Sequence, residues 1–200
     1  MTIIEQSHKI IQSPVEILQF IEAAGRTCYK SEDKITAGSA EEFTKMIIRR
    51  GHESVLEHVS ISVRFITNRG VTHELVRHRI CAFSQESTRY VKYDDNMEFI
   101  KPVWWDSWNN EKQTIWTKTM ESLEKQYQAL IQMGVPPQEA REILPNSLKT
   151  EIVVTANVRE WRHIFKLRCA KGAHPQMRSL MLQCEKDFQS NFPILFDEQL

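Results

Sequence analysis

Residues 59–65 read "VSISVRF": apolar Val59, Ile61, Val63 and Phe65 alternate with Ser60, Ser62 and Arg64. Period-two alternation turns one face of an extended chain to a core and the other to polar surroundings, which predicts a half-buried β-strand. "EIVVTA" at 151–156 predicts a second strand, and "MEFIK" at 97–101 a short third one. Other segments follow a helical period. Trp116, Met120, Leu123, Tyr127 and Leu130 predict a helix over 110–133 that Gly134, Pro136 and Pro137 end. Three helix starts carry capping signatures: Ser13 with Pro14 and Glu16, Ser39 with Glu42, and Asn157 with Glu160. The first helix should stop near Gly25, the second near Gly51, and a last helix should follow Pro175. The sum is an α/β (α+β) chain with helices in the majority.

The 200 residues fit one domain, 1–200, with no linker, repeat or low-complexity tract. Lys and Arg (26) balance Asp and Glu (26). A general binder of nucleic acid or anionic membrane would carry a positive excess, so the charge points instead to local sites for small anions. No apolar run approaches the ~18 residues of a membrane span, and the N-terminus has no apolar signal core. Cys28, Cys81, Cys169 and Cys184 form no C-x-x-C pair, which suits a reduced, cytoplasmic setting. Cys81 and Cys169 read as small apolar fillers.

One segment breaks the local balance. "RHRICAFSQESTRY" at 77–90 crowds Arg77, Arg79 and Arg89 with His78, Gln85, Ser84, Ser87 and Thr88. Guanidinium forks suit bidentate phosphate contacts, hydroxyls add short donors, and a Gln amide both donates and accepts, as a base edge requires. A second basic cluster lies after Asn157, where Arg159, Arg162, His163 and Lys166 fall at i, i+3, i+4 and i+7 and form one stripe. Either cluster alone could be a solvated face. Two of them in a neutral chain favour a divided anion site.

"GHESVLEH" at 51–58 sets two histidines, two glutamates and a serine before a strand, open equally to a functional or a turn role. "VWWDSWN" at 103–109 reads as a packing cluster rather than a ring-stacking site. "HELVRH" at 73–78 fails as a zinc motif, because histidines five apart diverge by roughly 140° around a helix. No metal is expected. The six glycines form neither G-x-G-x-x-G nor a Walker loop, so a nucleotide must be held by side chains and helix ends.

Taken together, these segments resemble the flavin-dependent thymidylate synthases. "RHRICAFSQES" has that family's R-H-R, seven residues, then S; "GHESVLEH" is similar to its G-H-x-S-x-x-E-H. "AREILPNSLKTEIVVTANVREWRHIFKLRC" and "AHPQMR" resemble its second half in the same order, so the likeness runs from about 23 to 180. The resemblance implies a mixed central sheet flanked by helices, and a homotetramer whose active sites are shared between subunits. It implies conversion of dUMP to dTMP, with methylenetetrahydrofolate as carbon donor, FAD as cofactor and NADPH as reductant. Ser54, Glu57, Arg77, His78, Arg79, Gln85, Asn157, Arg159, His163 and Leu167 fall at its FAD positions. Glu74, Arg77, Gln85, Glu86, Ser87, Thr88, Arg89, Arg141 and Arg168 fall at its dUMP positions.

Within that resemblance Arg168 is the catalytic residue. An arginine stays cationic at any working pH, so it stabilises negative charge on the pyrimidine rather than shuttling a proton. Ser87 has no spacing argument linking it to a base, so we expect it to bind the nucleotide and not to attack it. Some positions depart from the common pattern. Glu74 stands where glutamine is frequent, which directs its contact to the ring or to water. His163 replaces an asparagine of some members, Cys28 a serine, and "AHPQMR" the frequent A-Q-W-E-I-R. Two other readings predict different behaviour: a non-catalytic nucleotide sensor would be colourless, and an RNA-binding module stacking bases on Trp104, Trp105 and Trp108 would bind oligonucleotides with steep salt dependence.

Overall fold

In the computed structural model, which describes residues 1–197, fourteen strands and α-helices follow one another along the described residues, with short 3₁₀ turns between some of them. They are β1 (Thr2–Ile4), β2 (Ser7–Gln12), α1 (Ile17–Tyr29), α2 (Ser39–Arg49), β3 (Ser60–Asn68), α3 (Arg69–Leu75) and β4 (Cys81–Gln85). After them come β5 (Glu98–Ile100), α4 (Asn110–Gln132), α5 (Pro137–Ala140), β6 (Lys149–Asn157), α6 (Val158–Arg168), α7 (Pro175–Asn191) and α8 (Pro193–Phe196). The strands form two sheets, one of four in the order β2-β3-β6-β4 and one pairing β1 with β5. The α/β class expected from the sequence is therefore present. The strands read at 59–65, 97–101 and 151–156 are β3, β5 and β6, and the helices read at 110–133 and after Pro175 are α4 and α7.

The chain divides into two compact units. The first comprises residues 1–8, 64–77 and 83–153. Here β1 and β5 run parallel, with Thr2 opposite Glu98, Ile3 opposite Phe99 and Ile4 opposite Ile100. The helix α4 lays Met120 and Tyr127 against Met97, Phe99, Ala140 and Leu148, all of them buried. Met97, Phe99, Met120 and Leu148 each contribute about 1.5–3 kcal/mol by leaving water. Asn109 caps α4 by accepting the Lys112 N–H at 3.1 Å. The tryptophan-rich stretch packs, as expected: the Trp105 ring meets Trp116 edge-on at 5.4 Å, and Trp116 meets Phe99 at 6.3 Å.

The second unit comprises residues 9–63, 78–82 and, of the described residues, 154–197. Two expected helix starts are wrong here. The first helix opens at Ile17, not at Ser13: β2 keeps the chain extended to Gln12, and the left-handed Glu16 then sets where the helix begins. Glu16 takes a left-handed conformation (φ 55°) and closes the first turn by accepting the Phe20 N–H. The second start is at Gly38 (φ 90°), with no side-chain cap. Ser39 Oγ donates instead to Glu22 at 2.7 Å, and Glu42 pairs with Lys45. A buried carboxylate that already holds Arg26 at 2.8 Å competes better for that hydroxyl than the helix end does.

Gly25 does not stop α1 either; it lies inside the helix. A Cβ there would sit 2.5 Å from Phe43 Cζ, so the glycine serves a close helix–helix approach. Gly51 does follow α2 in the left-handed region (φ 70°), as its position suggested. Further along, Trp161 of α6, Phe165, Phe188 and Phe196 interlock, with Trp161 to Phe188 at 5.1 Å and Phe188 to Phe196 at 5.0 Å. The Trp161 indole N–H donates to Ile61 O at 3.0 Å and ties α6 to β3.

Candidate active site

The junction of β6 and α6 sets the geometry. Asn157 ends the strand and caps the helix, its Oδ1 accepting the Glu160 N–H at 2.8 Å, as the sequence implied. The cap fixes the phase of α6, so the stripe of Arg159, Arg162, His163 and Lys166 lines one cavity of about 800 Å³. That volume is within the range of small-molecule and cofactor pockets. Its walls are not purely cationic. "GHESVLEH" folds into a 3₁₀ turn over Glu53–His58 that buries Leu56 and presents Glu53 and Glu57 to the cavity. Glu57 pairs with Arg159, and Glu53 lies 3.6 Å from Arg162. Arg159 is an exposed partner in its pair. Exposed pairs of this kind contribute little, so its guanidinium can exchange a carboxylate for a phosphate at small cost.

His78 connects the R-H-R segment to the same helix. It is buried, with Nδ1 3.3 Å from Glu160 Oε1 and Nε2 accepting the Arg168 Nε–H at 2.9 Å. A carboxylate only accepts and a guanidinium only donates, so the neutral ring carries its proton on Nδ1. Burial holds the pKa of His78 below the usual histidine value; the Arg168 charge acts in the same sense and the Glu160 bond opposes both. The His163 ring meets His78 edge-on at 5.9 Å.

His78, Glu160 and His163 also bring their ligand atoms within 4.8 Å of one another, the spacing of a metal site. Arg168 argues against that use. With Nε2 taken by its N–H, the imidazole has no lone pair left on Nδ1 to offer a cation. Nor is Cys81 a nucleophile: burial, with Glu160 nearby, pushes its thiol up to about 12.

The later half of the segment lies in the first unit. Gln85, at the end of β4, donates from Nε2 to Thr72 Oγ1 at 2.9 Å and to Thr150 Oγ1 at 3.3 Å. Glu86 accepts the Tyr93 hydroxyl at 2.5 Å and lies 3.4 Å from Lys149 Nζ. Ser87 begins a tight turn in which its Oγ accepts the Arg89 N–H at 3.3 Å and its carbonyl accepts the Val91 N–H at 2.9 Å. Thr88 is buried, and Arg89 lies over the Tyr90 ring at 5.5 Å. The two-residue alternation of β4 was hidden in the sequence because its most conspicuous members are polar.

The remaining candidates are spread out. Ser54, Arg77, Arg79 and Leu167 are exposed, and Glu74 is half-buried in α3. Arg141 opens a 3₁₀ turn after α5, 3.6 Å from Glu142. Ile80, Glu185, Phe196 and Asp197 also line the cavity of α6, and no sequence pattern marks them, since they are recruited by packing rather than by spacing. Tyr93 and Lys149 were likewise unmarked, although they fix the carboxylate of Glu86.

Known proteins resemble this chain along most of its length. The family model for thymidylate synthase complementing protein matches residues 9–194. A flavin-dependent thymidylate synthase of Geobacter sulfurreducens is 35% identical over 181 residues, 86% of this chain and 78% of that one. The synthase of that name from Mycobacterium avium is 36% identical, over 88% of this chain and 77% of its own. The chain belongs to the flavin-dependent thymidylate synthase family. Enzyme class and use of FAD follow from that membership. The fold agrees. A crystal structure of a UMP/dUMP methylase, PolB from Streptomyces cacaoi, bound with 5-Br dUMP, superposes with a TM-score of 0.80. It covers 98% of this chain and 96% of its own at 23% identity.

The residues present fit a flavin dinucleotide. The cavity of α6 offers guanidinium, ammonium, imidazole and amide donors from Asn157, Arg159, Arg162, His163 and Lys166, the kind of set a diphosphate uses when no glycine loop exists. Beside them stand the carboxylates of Glu53, Glu57, Glu160, Glu185 and Asp197, and those of Glu53 and Glu57 now hold part of that charge.

Proposed function

We propose that this chain is a working flavin-dependent thymidylate synthase, which converts dUMP to dTMP with methylenetetrahydrofolate as carbon donor and NADPH as reductant. The observation that carries the reading is the 2.9 Å bond from Arg168 Nε to His78, which joins the R-H-R segment to the far end of α6. Bound FAD supplies the hydride chemistry; the chain binds, orients and polarises.

On this reading Arg168 lies against the pyrimidine N3/O2 edge, stabilises negative charge there and favours attack at C6. Gln85, Ser87, Thr88 and Arg89 bind dUMP, with Arg77, Glu74, Arg141 and Glu86 around them. Gln85 has its amide protons on hydroxyls, which leaves Oε1 as the atom to accept from a base N–H. Asn157, Arg159, His163 and His78 hold the flavin with Ser54, Glu57, Arg77, Arg79, Gln85 and Leu167. The chain acts as one catalytic domain in a cytoplasmic homotetramer that shares its sites between subunits, with no nucleic acid partner. Among the described residues no helix is long and apolar enough to cross a membrane.

The test is spectroscopic first. Purified protein, reconstituted with FAD if needed, should show oxidised flavin absorbance, bleach anaerobically with NADPH, and form dTMP when dUMP and methylenetetrahydrofolate are added. A colourless protein that cannot be reconstituted, or one that oxidises NADPH without yielding dTMP, would overturn the proposal.

Ser87 supplies a second test. Its Oγ accepts the Arg89 N–H inside the turn, and no spacing argument links it to a base. Ser87→Ala should therefore still form dTMP, with kcat within about tenfold of the native enzyme and a higher KM for dUMP. Complete loss of turnover with dUMP binding intact would show that Ser87 is a nucleophile after all.

A further inference from the structure

Helix α6 carries a strut along its own length. Glu160 sits in its first turn and Arg168 at its last residue, ~12 Å apart along the axis at 1.5 Å per residue. His78, from outside the helix, reaches both: Nδ1 lies 3.3 Å from Glu160 Oε1 and Nε2 accepts from Arg168 Nε at 2.9 Å. His78 is 6% exposed and Glu160 8%, so water does not compete strongly for either bond. In an ordinary capping box the third-residue glutamate folds back to the cap's own N–H. Here Asn157 still caps the Glu160 N–H, but the Glu160 side chain is turned to His78.

We infer that Glu160 is a positioning residue for Arg168, acting through His78. The proposal rests on the reading of Arg168 as the group that polarises the pyrimidine. The logic is one of hydrogen-bond polarity. The Glu160 carboxylate can only accept, so it places the imidazole proton on Nδ1. Nε2 then presents a lone pair to Arg168 Nε–H, and that bond fixes the plane of the guanidinium fork. The opposite tautomer would set an N–H against an N–H and turn the fork away. The groups facing His78 are Glu160, Arg168 and His163, all on α6, with Cys81 of β4 close to Glu160. Of these only Glu160 is an anion that can accept the Nδ1 proton; Arg168, as a donor to Nε2, favours the same tautomer from the other side. A misdirected fork weakens contacts formed in the transition state more than it weakens ground-state binding, so its loss should fall on kcat.

Glu160→Met keeps the volume and removes the acceptor; Glu160→Gln removes the charge but keeps an acceptor in Oε1. We expect Glu160→Met to lower kcat about 10- to 100-fold with the KM for dUMP changed less than about threefold, and Glu160→Gln to recover most of that loss. Histidine ¹⁵N resonances, with the His78 signal assigned by its disappearance in His78→Gln, read the tautomer in protein free of dUMP. They should show the Nδ1–H form in native protein and in Glu160→Gln, and a share of the Nε2–H form in Glu160→Met, where the buried Nδ1–H has lost its acceptor and only Arg168 still opposes the exchange. Should Glu160→Met fail to fold, Glu160→Ala takes its place in both measurements. An unchanged tautomer in the acceptor-free variant would overturn the inference. So would a changed tautomer with native kcat, if Arg168→Ala is inactive, and in that case the proposed function would stand. Native turnover in Arg168→Ala would remove the reading beneath it, and the inference with it.

Discussion

Arg168→Ala should lower kcat for dTMP formation by on the order of 10²–10³-fold, the loss typical of removing one preorganised donor from developing negative charge. The arginine is suited to this because it remains cationic at every working pH and cannot relax by losing its proton. It stands at the C-terminal end of α6, where the helix dipole favours a cation. Its Nε–H is committed to His78, so the fork does not have to be ordered at the moment of reaction. Lysine cannot repeat the arrangement: an ammonium is a point charge on a flexible stem and cannot hold a planar fork toward the substrate while it donates to His78. Arg168→Lys should therefore remain close to the alanine variant. Both should still bind dUMP within about tenfold of native affinity by calorimetry, since the remaining contacts come from other residues. Turnover near the native rate in either variant would remove Arg168 from the chemistry.

The elements legible in the sequence are those whose pattern is long and local. The alternation of β3, the periodicity of α4 and the Asn157 cap of α6 each rest on neighbours within a few residues, and the structure keeps them. What could not be read depends on contacts distant along the chain. Ser13-Pro14 and Ser39-Glu42 have the letters of a cap, yet the extent of β2 and the claim of Glu22 on Ser39 decide otherwise. Gly25 looked like a stop signal, while its reason lies in Phe43 of the next helix. The parallel pairing of β1 with β5 joins segments with no shared local pattern. The candidate site divides in the same way. A stripe at i, i+3, i+4 and i+7 shares one face wherever the helix lies, so the lining of the cavity by Arg159, Arg162, His163 and Lys166 was foreseeable. The bond between His78 and Arg168 spans 90 positions, and no spacing rule reaches that far. Glu160 was visible only as a capping partner because its real partner belongs to another segment.

Trp161→Ala should destabilise the protein by about 3–5 kcal/mol, the range for truncating a large buried aromatic. The side chain is fully buried, lies nearly parallel to Phe165 at 5.7 Å and packs against Phe188 at 5.1 Å. It also gives its indole N–H to Ile61 O, so truncation both opens a cavity and removes a buried hydrogen bond. For a chain of this size the thermal midpoint should fall on the order of 10 °C. Trp161→Phe separates the two contributions: it keeps most of the packing and loses the hydrogen bond, and should cost about 1–3 kcal/mol. Function should follow stability, because Trp161 stands between Glu160 and Arg162 and seats the helix that also carries His163 and Arg168. If the cavity of α6 holds FAD as proposed, excess FAD should raise the midpoint of Trp161→Ala, since a ligand that binds only the folded state stabilises by RT ln(1 + [L]/Kd). A native midpoint in Trp161→Ala would show that α6 is seated by something other than this aromatic cluster. A fallen midpoint that FAD leaves unmoved would show that the folded variant does not bind the cofactor.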